Sequence, residues 1–565
     1  MVVGMGGQGK TTLVSEFLRT RAGLRFGAGF WCTAYRASFT FDMFLDEVLR
    51  YLSRGAFVKQ NCEDTSARTI ALLELLQTRR VLLVIDGIER WLKGWMQGDA
   101  AAPLSLNPDQ RASSQDGFDD FLRQVSGLTN GTHLILTTRA MPSALERVSI
   151  ALVPVYPEQH ESRLRGMEPE DAVEFLRRQR VTGSDSQLAA IGARWNWHPL
   201  ALAVISGLIL KRYGGNVERM PALNVLDPRL PLNTLLDETR RHLPDPALSD
   251  RMMMAASLVE ENPTIKLIQV GLKSLLPEES ISEDRLVDNA IALGEWQILE
   301  WDGERDSVAI HPLIREYFGA LLSPDERQAL HAAFAEFYAH EDLKSAPSSL
   351  SDVRTRILAI IHHCHAGNAL AAEALLFDEF NQGISFLDWL AGSGHHVTGI
   401  DLLSRLIDLL EPKARARLLS IRGGLRTELR DFARALADLD EAVRLLGERA
   451  TSGDKEAIGD LVGALINRGN AKREQFDASS LEDFDQALCA LSGLSGLRWA
   501  GTHNWLLAQV RVNRSNVLSD RGRLGEAVSD ISASIEKFRG LGARLSKVLA
   551  DGDGGLRIGR SRSCC

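Results

Sequence analysis

A run of four glycines closed by a lysine and two threonines, Gly4-Met5-Gly6-Gly7-Gln8-Gly9-Lys10-Thr11-Thr12, constrains this chain more than any other feature. From Gly4 to Thr11 it fits G-x-x-x-x-G-K-[ST] at every fixed position. Gly4, Gly6, Gly7 and Gly9 let the backbone wrap a polyphosphate with its N–H groups turned inward. The segment that follows carries Leu13, Val14, Phe17 and Leu18 at helical spacing, and a helix there presents its positive end to the same anion. In such a loop Lys10 reaches the β- and γ-phosphates, Thr11 ligates Mg²⁺, and Thr12 joins the residues around the nucleotide. The alternative, a chance Gly-rich turn, does not account for the Val2-Val3 pair before the loop or the amphipathic segment after it.

A phosphate loop sits between a buried strand and a helix, and the first 150 residues alternate those two signals. Val81-Leu82-Leu83-Val84-Ile85 is an unbroken apolar run typical of a buried parallel strand. His133-Leu134-Ile135-Leu136-Thr137-Thr138 is a second, and Gly29 to Cys32 a weaker third. Phe41, Phe44, Leu45, Val48, Leu49 and Leu52 recur at helical spacing and predict a crossover helix. A three-layer α/β domain over residues 1–150 follows.

Three strand ends then supply chemistry to one crevice of a parallel sheet. Asp86 ends the Val81–Ile85 strand, 76 positions after Lys10. An acid there holds Mg²⁺ through water, unless it is an ordinary turn aspartate. Glu89 either orients an attacking water or is a solvated residue of the next helical turn. Arg139 follows Thr137-Thr138, where a guanidinium touches the γ-phosphate or makes a surface ion pair. Lys10, Asp86, Glu89 and Arg139 are the candidate catalytic set, with Thr11 and Asp86 as the Mg²⁺ pair.

Beyond residue 151 helical patterns dominate. Gly98 to Gly117, rich in Ala, Pro, Ser, Asn, Gln and Asp, reads as a surface insertion in the α/β part. Pro221 to Asn233, with Pro221, Pro228 and Pro231, marks a boundary, so residues 151–235 are expected to form a helical subdomain. Trp296–Trp301 and Ser307–Ile310 flank Asp302-Gly303-Glu304, a hairpin signal after helices, which predicts a winged-helix domain over 236–322.

Residues 323–550 are expected to form helical hairpins, because a faint repeat recurs there. Ala435-Leu-Ala-Asp-Leu439-Asp-Glu-Ala442 resembles Ser480-Leu-Glu-Asp-Phe484-Asp-Gln-Ala487 and Ala527-Val-Ser-Asp-Ile531-Ser-Ala-Ser534. Upstream of each lie Arg422-Gly423, Arg468-Gly469 and Arg514-Ser515. These small residues suit close helix packing in a tetratricopeptide-like array. The spacings of 45 and 47 residues exceed the usual value of about 34, which requires longer helices or inserted loops.

Composition excludes several classes. The 565 residues are 45% apolar and 25% charged, a globular balance. Sixty-five Lys+Arg against 74 Asp+Glu gives −9, with no global pull on nucleic acid or anionic lipid. Six cysteines make no disulfide scaffold. Neither a secretory signal nor a membrane span is apparent, so a reduced, soluble, cytoplasmic protein is expected. His362-His363-Cys364-His365 lies within one helical turn and reads as packing rather than a metal site. Trp195-Asn196-Trp197 reads as core. Only Met1-Val2-Val3 precede Gly4, where such a strand has about five or six residues, and residues 551–565 form a Gly/Arg/Ser tail expected to be disordered. An incomplete first strand and a truncated or frameshifted end are the expectations at the two termini.

GMGGQGKTTL, VLLVIDGIE, LILTTR, Leu164-Arg165-Gly166-Met167 and His198-Pro199-Leu200-Ala201-Leu202 occur in that order. Over about residues 1–322 the chain resembles the NB-ARC module of STAND signal-transduction ATPases. The resemblance implies ATP or ADP as cofactor with Mg²⁺, and Pro199 packed on the adenine, although Trp197-His198 replaces the usual Gly-Leu. Ile310-His311-Pro312-Leu313-Ile314-Arg315 resembles the family's Met-His-Asp segment without its Asp. This implies that His311 contacts the β-phosphate of ADP; a helix-capping or core histidine is the other reading.

The resulting expectation is a multidomain α/β and α protein acting as an ADP-off, ATP-on switch with slow hydrolysis. Its repeats would sense a protein or ligand, and the ATP form would oligomerise. A transcription regulator of the same class is one rival, and a repeat scaffold with a structural nucleotide is another. The winged-helix segment shows no basic recognition helix, so nucleic acid is not expected as a partner.

Overall fold

The computed structural model describes residues 1–19, 26–35, 39–54, 65–96, 107–115, 117–146, 164, 166–220, 231–259, 262–341, 346–381, 383–492 and 500–536. Packing divides the chain into two units, Met1–Val58 with Ala67–Asn368, and Lys59–Ser66 with Ala369–Cys565. The tail at 551–565, half of the Gly98–Gly117 insertion, Arg165 and residues 221–230 lie outside the described residues.

The first unit opens with a four-stranded parallel sheet. Strands β1 (Val2–Val3), β2 (Ala28–Thr33), β3 (Val81–Asp86) and β4 (His133–Thr138) lie in the order β1-β4-β3-β2. The apolar run predicted as a buried strand is β3, and all six of its residues are buried. Leu164 pairs with β1 on the side away from β4, its N–H donating to Val3 O at 2.8 Å. Helix Phe41–Leu52 packs Phe41 and Phe44 against Phe118, Phe121 and Trp91. Asp42 of this helix pairs with Arg68 at 2.9 Å, both side chains being fully buried. Helix Lys10–Arg19 is less amphipathic than its sequence promised: Val14 is buried, but Leu13 and Phe17 are exposed. The described end of the insertion is not a free surface loop. Its Ala112 and Gln110 carbonyls accept from the Lys93 and Gly94 amides at 3.0 and 2.8 Å.

Helices Pro246–Ser257, Ile265–Leu275 and Glu283–Glu295 lead into the hairpin of β5 (Glu300–Asp302) and β6 (Ser307–Ala309), the order of a winged helix. The first strand is shorter than predicted, because Trp296 caps the preceding helix and Gln297 takes a φ of 59°. The helix before the wing carries Glu283 and Asp284 in its first turn and no basic residue in its last.

The predicted division at 235/236 is not a break in packing. A single apolar core runs from Ala172 and Leu202 through Met252 and Leu286 to Phe318. At Gly207 a Cβ would lie 2.4 Å from Trp296 O, so helix Pro199–Tyr213 rests directly on the backbone leading into the wing. Nor does a separate array start at 323. Leu330 and Phe334 of helix Pro324–Ala339 are buried against Met254, Ala255 and Leu267, which draws that helix into the first unit.

Helix Arg354–His365 pairs with Pro324–Ala339 through histidines. His331 Nδ1 and His362 Nδ1 lie 2.9 Å apart, so one ring donates to the other. Among the described residues no group of three or more His, Cys, Asp or Glu could hold a metal ion. Burial pushes His331 down to about 2 and His362 to about 3. A base whose pKa falls on folding stabilises the fold while neutral. The contribution is complete above the unfolded value of about 6.5 and is lost as pH falls toward 3, at about 1.4 kcal/mol per pH unit for each histidine. The melting temperature should therefore drop between pH 6.5 and 5, and drop less in the double variant His331→Leu/His362→Leu. Parallel slopes for the two proteins would assign the acid sensitivity to other groups.

The second unit is a succession of helices with one short antiparallel hairpin, Glu379–Asn381 with Ile384–Ser385. Phe432–Thr451 and Lys455–Glu474 are 20 residues each and Ala500–Asp520 is 21, so long helices produce the wide repeat spacing. The small residues act as expected: a Cβ on Gly423 would meet Leu439 at 2.6 Å, and one on Gly469 would meet Phe484 at 2.7 Å. The repeated arginines and aspartates form a ladder. Arg422 donates to both carboxylate oxygens of Asp438 at 2.8 and 2.7 Å. Arg468 donates to Asp483 at 3.0 and 2.6 Å, and Arg514 to Asp530 at 2.8 Å. The same arginines tie consecutive repeats: Arg468 reaches Asp440 at 3.0 Å and Arg514 reaches Asp485 at 2.8 Å. Among the described residues no helix is long and apolar enough to cross a membrane.

Candidate functional site

Sheet register fixes the place of the site. Val3 pairs with Thr138 and Thr33 with Asp86, so Gly4, Asp86 and Arg139 emerge at one edge. Thr11 Oγ1 donates to Asp86 Oδ1 at 2.8 Å, which brings the predicted metal pair together. Thr137 Oγ1 donates to the same oxygen at 2.5 Å and fixes the carboxylate from β4. Thr12 is an exposed residue of the first helical turn.

The loop carbonyls are accounted for one by one, as backbone groups held away from solvent must be. Lys10 Nζ donates to Gly4 O and Met5 O, both at 2.9 Å. Burial pushes this ammonium below its ordinary value, with Glu89 opposing. His198 Nε2 lies 2.8 Å from Gly6 O, and the Leu200 amide donates to Gly7 O at 3.3 Å. Gly7 has φ +74°, and a Cβ there would stand 2.5 Å from His198 Cε1, so only glycine suits the position.

Two His-Pro-Leu turns flank the loop. In each, the histidine caps a helix that begins with proline: His198 Nδ1 accepts from the Ala201 N–H at 3.3 Å, and His311 Nδ1 from the Leu313 N–H at 3.2 Å. Each leucine meets a loop glycine. A Cβ on Gly7 would lie 3.0 Å from Leu200, and one on Gly6 would lie 3.1 Å from Leu313. Pro199 is the first residue of helix Pro199–Tyr213, next in sequence to His198 and Leu200. Burial, with His198, Arg139 and Lys10 close by, pushes His311 down to about 3 and keeps it neutral at pH 7. Its capping role and its place beside the loop are therefore compatible.

Glu89 and Arg139 are both buried, not surface residues. Glu89 sits in the short helix Ile88–Trp91 and its Oε1 accepts from the Tyr35 hydroxyl. Arg139 Nε lies 3.2 Å from that oxygen, a charge contact without hydrogen-bond alignment, and the guanidinium stacks 4.5 Å above the Trp95 ring. Arg139 Nη2 also lies 3.5 Å from Glu316 of the winged helix. Burial pushes the Glu316 carboxyl up, and Arg139 opposes that shift. Tyr35, Trp95, Thr137, His198 and Glu316 complete the site without having been read from the sequence as parts of it. Only His198 left a signal there, as the residue before Pro199.

Loop, helix N-terminus, strand-end acid and buried arginine define a P-loop nucleotide-binding domain. Residues 1–100 match the NB-ARC domain. The match covers the first part of the α/β domain; helical and winged-helix segments and a repeat array follow it in the chain. In fold it is similar to a signal transduction ATPase with numerous domains (STAND) protein with a tetratricopeptide repeat sensor from Pyrococcus horikoshii. That similarity has 13% identity and a TM-score of 0.45, over 96% of this chain and 74% of the other. No curated protein matches the sequence.

Proposed function

We propose that this chain is a nucleotide-dependent signal-transduction switch, closed with ADP and open with ATP. The observation that supports this reading best is the pair of His-Pro-Leu turns from outside the α/β domain, each resting on a glycine of the phosphate loop. A nucleotide can move such elements only through contacts that differ between two states.

In this reading the loop amides, Lys10, Thr11 and Thr12 hold the phosphates, and Pro199 borders the base. Thr11 and Asp86 present a hydroxyl and a carboxylate 2.8 Å apart, hard oxygen donors that fit Mg²⁺. Bound there, Mg²⁺ would offset phosphate charge. Glu89 Oε2 is buried with no hydrogen-bond partner among the described residues, and this oxygen is left to accept a proton from an attacking water. Arg139 exchanges its carboxylate neighbours for the γ-phosphate. The repeat array senses a protein or ligand, and the ATP form assembles with further copies.

Titration of the full chain with fluorescent ADP and ATP tests the binding, and light scattering in each nucleotide tests the assembly. Absence of binding removes the whole reading; equal mass in both nucleotides removes the switch. His311→Ala should accelerate ADP release by about ten- to a hundredfold, since one hydrogen bond to a charged phosphate is worth about 1.5–3 kcal/mol. Stopped-flow release at the wild-type rate would leave His311 as a cap only.

A further inference from the structure

We infer that His198 is a positioning residue for the phosphate loop: by holding the Gly6 carbonyl outward it turns the Gly7 amide toward the phosphates. The inference rests on the loop binding a nucleotide and adds a residue from outside the α/β domain to that task.

The two ring nitrogens have separate duties. Nδ1 accepts the Ala201 N–H at 3.3 Å and so carries no proton. In a neutral ring the proton is then on Nε2, which donates to Gly6 O at 2.8 Å. Burial pushes the imidazole pKa down, which favours this neutral form. The chain contains no cis peptide bond among the described residues. In a planar trans peptide the C=O and the next N–H point in opposite directions. With Gly6 O fixed toward His198, the Gly7 N–H faces away from it, into the loop. That N–H has no protein acceptor among the described residues. An inward amide without a partner is what an anion-binding backbone concavity consists of. The Leu200 amide, holding Gly7 O at 3.3 Å, repeats the arrangement one peptide later.

Asparagine and glutamine separate the two duties. Asparagine places its oxygen near the position of Nδ1 and is a strong N-cap, but it cannot reach Gly6 O. Glutamine carries an amide N–H out to the position of Nε2 and caps poorly. His198→Leu and His198→Asn should each weaken both ADP and ATP about tenfold, the scale of one lost hydrogen bond. His198→Gln should recover most of that loss, even where its melting temperature is lower than that of His198→Asn. Affinity in the full chain is measured by titration, and stability by thermal melting. Should affinity follow stability instead, with Asn at wild-type affinity and Gln as weak as Leu, His198 is a helix cap and the inference fails. If the wild-type chain binds neither nucleotide, the phosphate-loop reading fails first, and that result differs from either pattern among the variants.

Discussion

Lys10→Ala should lower affinity for both ADP and ATP by about a hundredfold or more. Lys10 is the one ammonium buried within the loop, 7% exposed, and its Nζ already bonds two loop carbonyls. A charged hydrogen bond is worth about 1.5–3 kcal/mol, and this side chain serves both the phosphates and the loop's own backbone. Its removal leaves Gly4 O and Met5 O without a donor as well. The loop would then lose shape together with charge, and Lys10→Arg should not restore binding, because the planar fork does not fit between two carbonyls. Calorimetric titration reads the effect. Unchanged affinity for both nucleotides would end the phosphate-loop assignment.

Asp86→Asn should have the opposite profile. Asparagine keeps an oxygen to accept from Thr11 and Thr137, so the contacts at 2.8 and 2.5 Å and the fold around them survive. The negative charge that would hold Mg²⁺ is gone. ADP affinity should stay within about threefold, while Mg²⁺-dependent turnover should fall by roughly a thousandfold, the scale of the several kcal/mol a metal supplies to phosphoryl transfer. Single-turnover hydrolysis at saturating Mg²⁺ decides it. Turnover at the wild-type rate would mean that Asp86 only braces the strand end.

Parts of this site were legible because they are local. The loop declares itself in eight consecutive residues, and β3 with Asp86 and β4 with Arg139 are apolar runs that end in a charge. What stayed hidden is contributed across chain distance. Tyr35 reaches Glu89 only because β2 lies beside β3, and Glu316 reaches Arg139 only because the winged helix folds onto the sheet edge. The pattern Trp197-His198-Pro199 was visible as a departure from a family motif, but nothing in one dimension shows that a ring nitrogen meets Gly6. Limits between segments are a related case. Proline-rich breaks mark where a chain turns, not where a core ends, and the core from Ala172 to Phe318 passes the boundary drawn near 235. The array was the converse case: its small residues repeat visibly in the sequence, while the pairing of its arginines and aspartates had to await the packing of the helices.

That pairing makes the repeats behave like couplings with a fixed polarity. The middle unit offers an arginine on one side and an aspartate on the other, as Arg468 does toward Asp440 and Asp485 does toward Arg514. A copy of the segment from Arg468 to Asp485, with its flanking helices, would find the same plug and socket at both joints. The array can therefore gain or lose whole units of about 46 residues by in-frame duplication or excision without stranding a charge. The third unit differs, since Ser532 stands where Asp440 and Asp485 stand in the others. A further unit added after it would meet a hydroxyl in place of the carboxylate, so growth by copying is open between the first and third units and closed beyond.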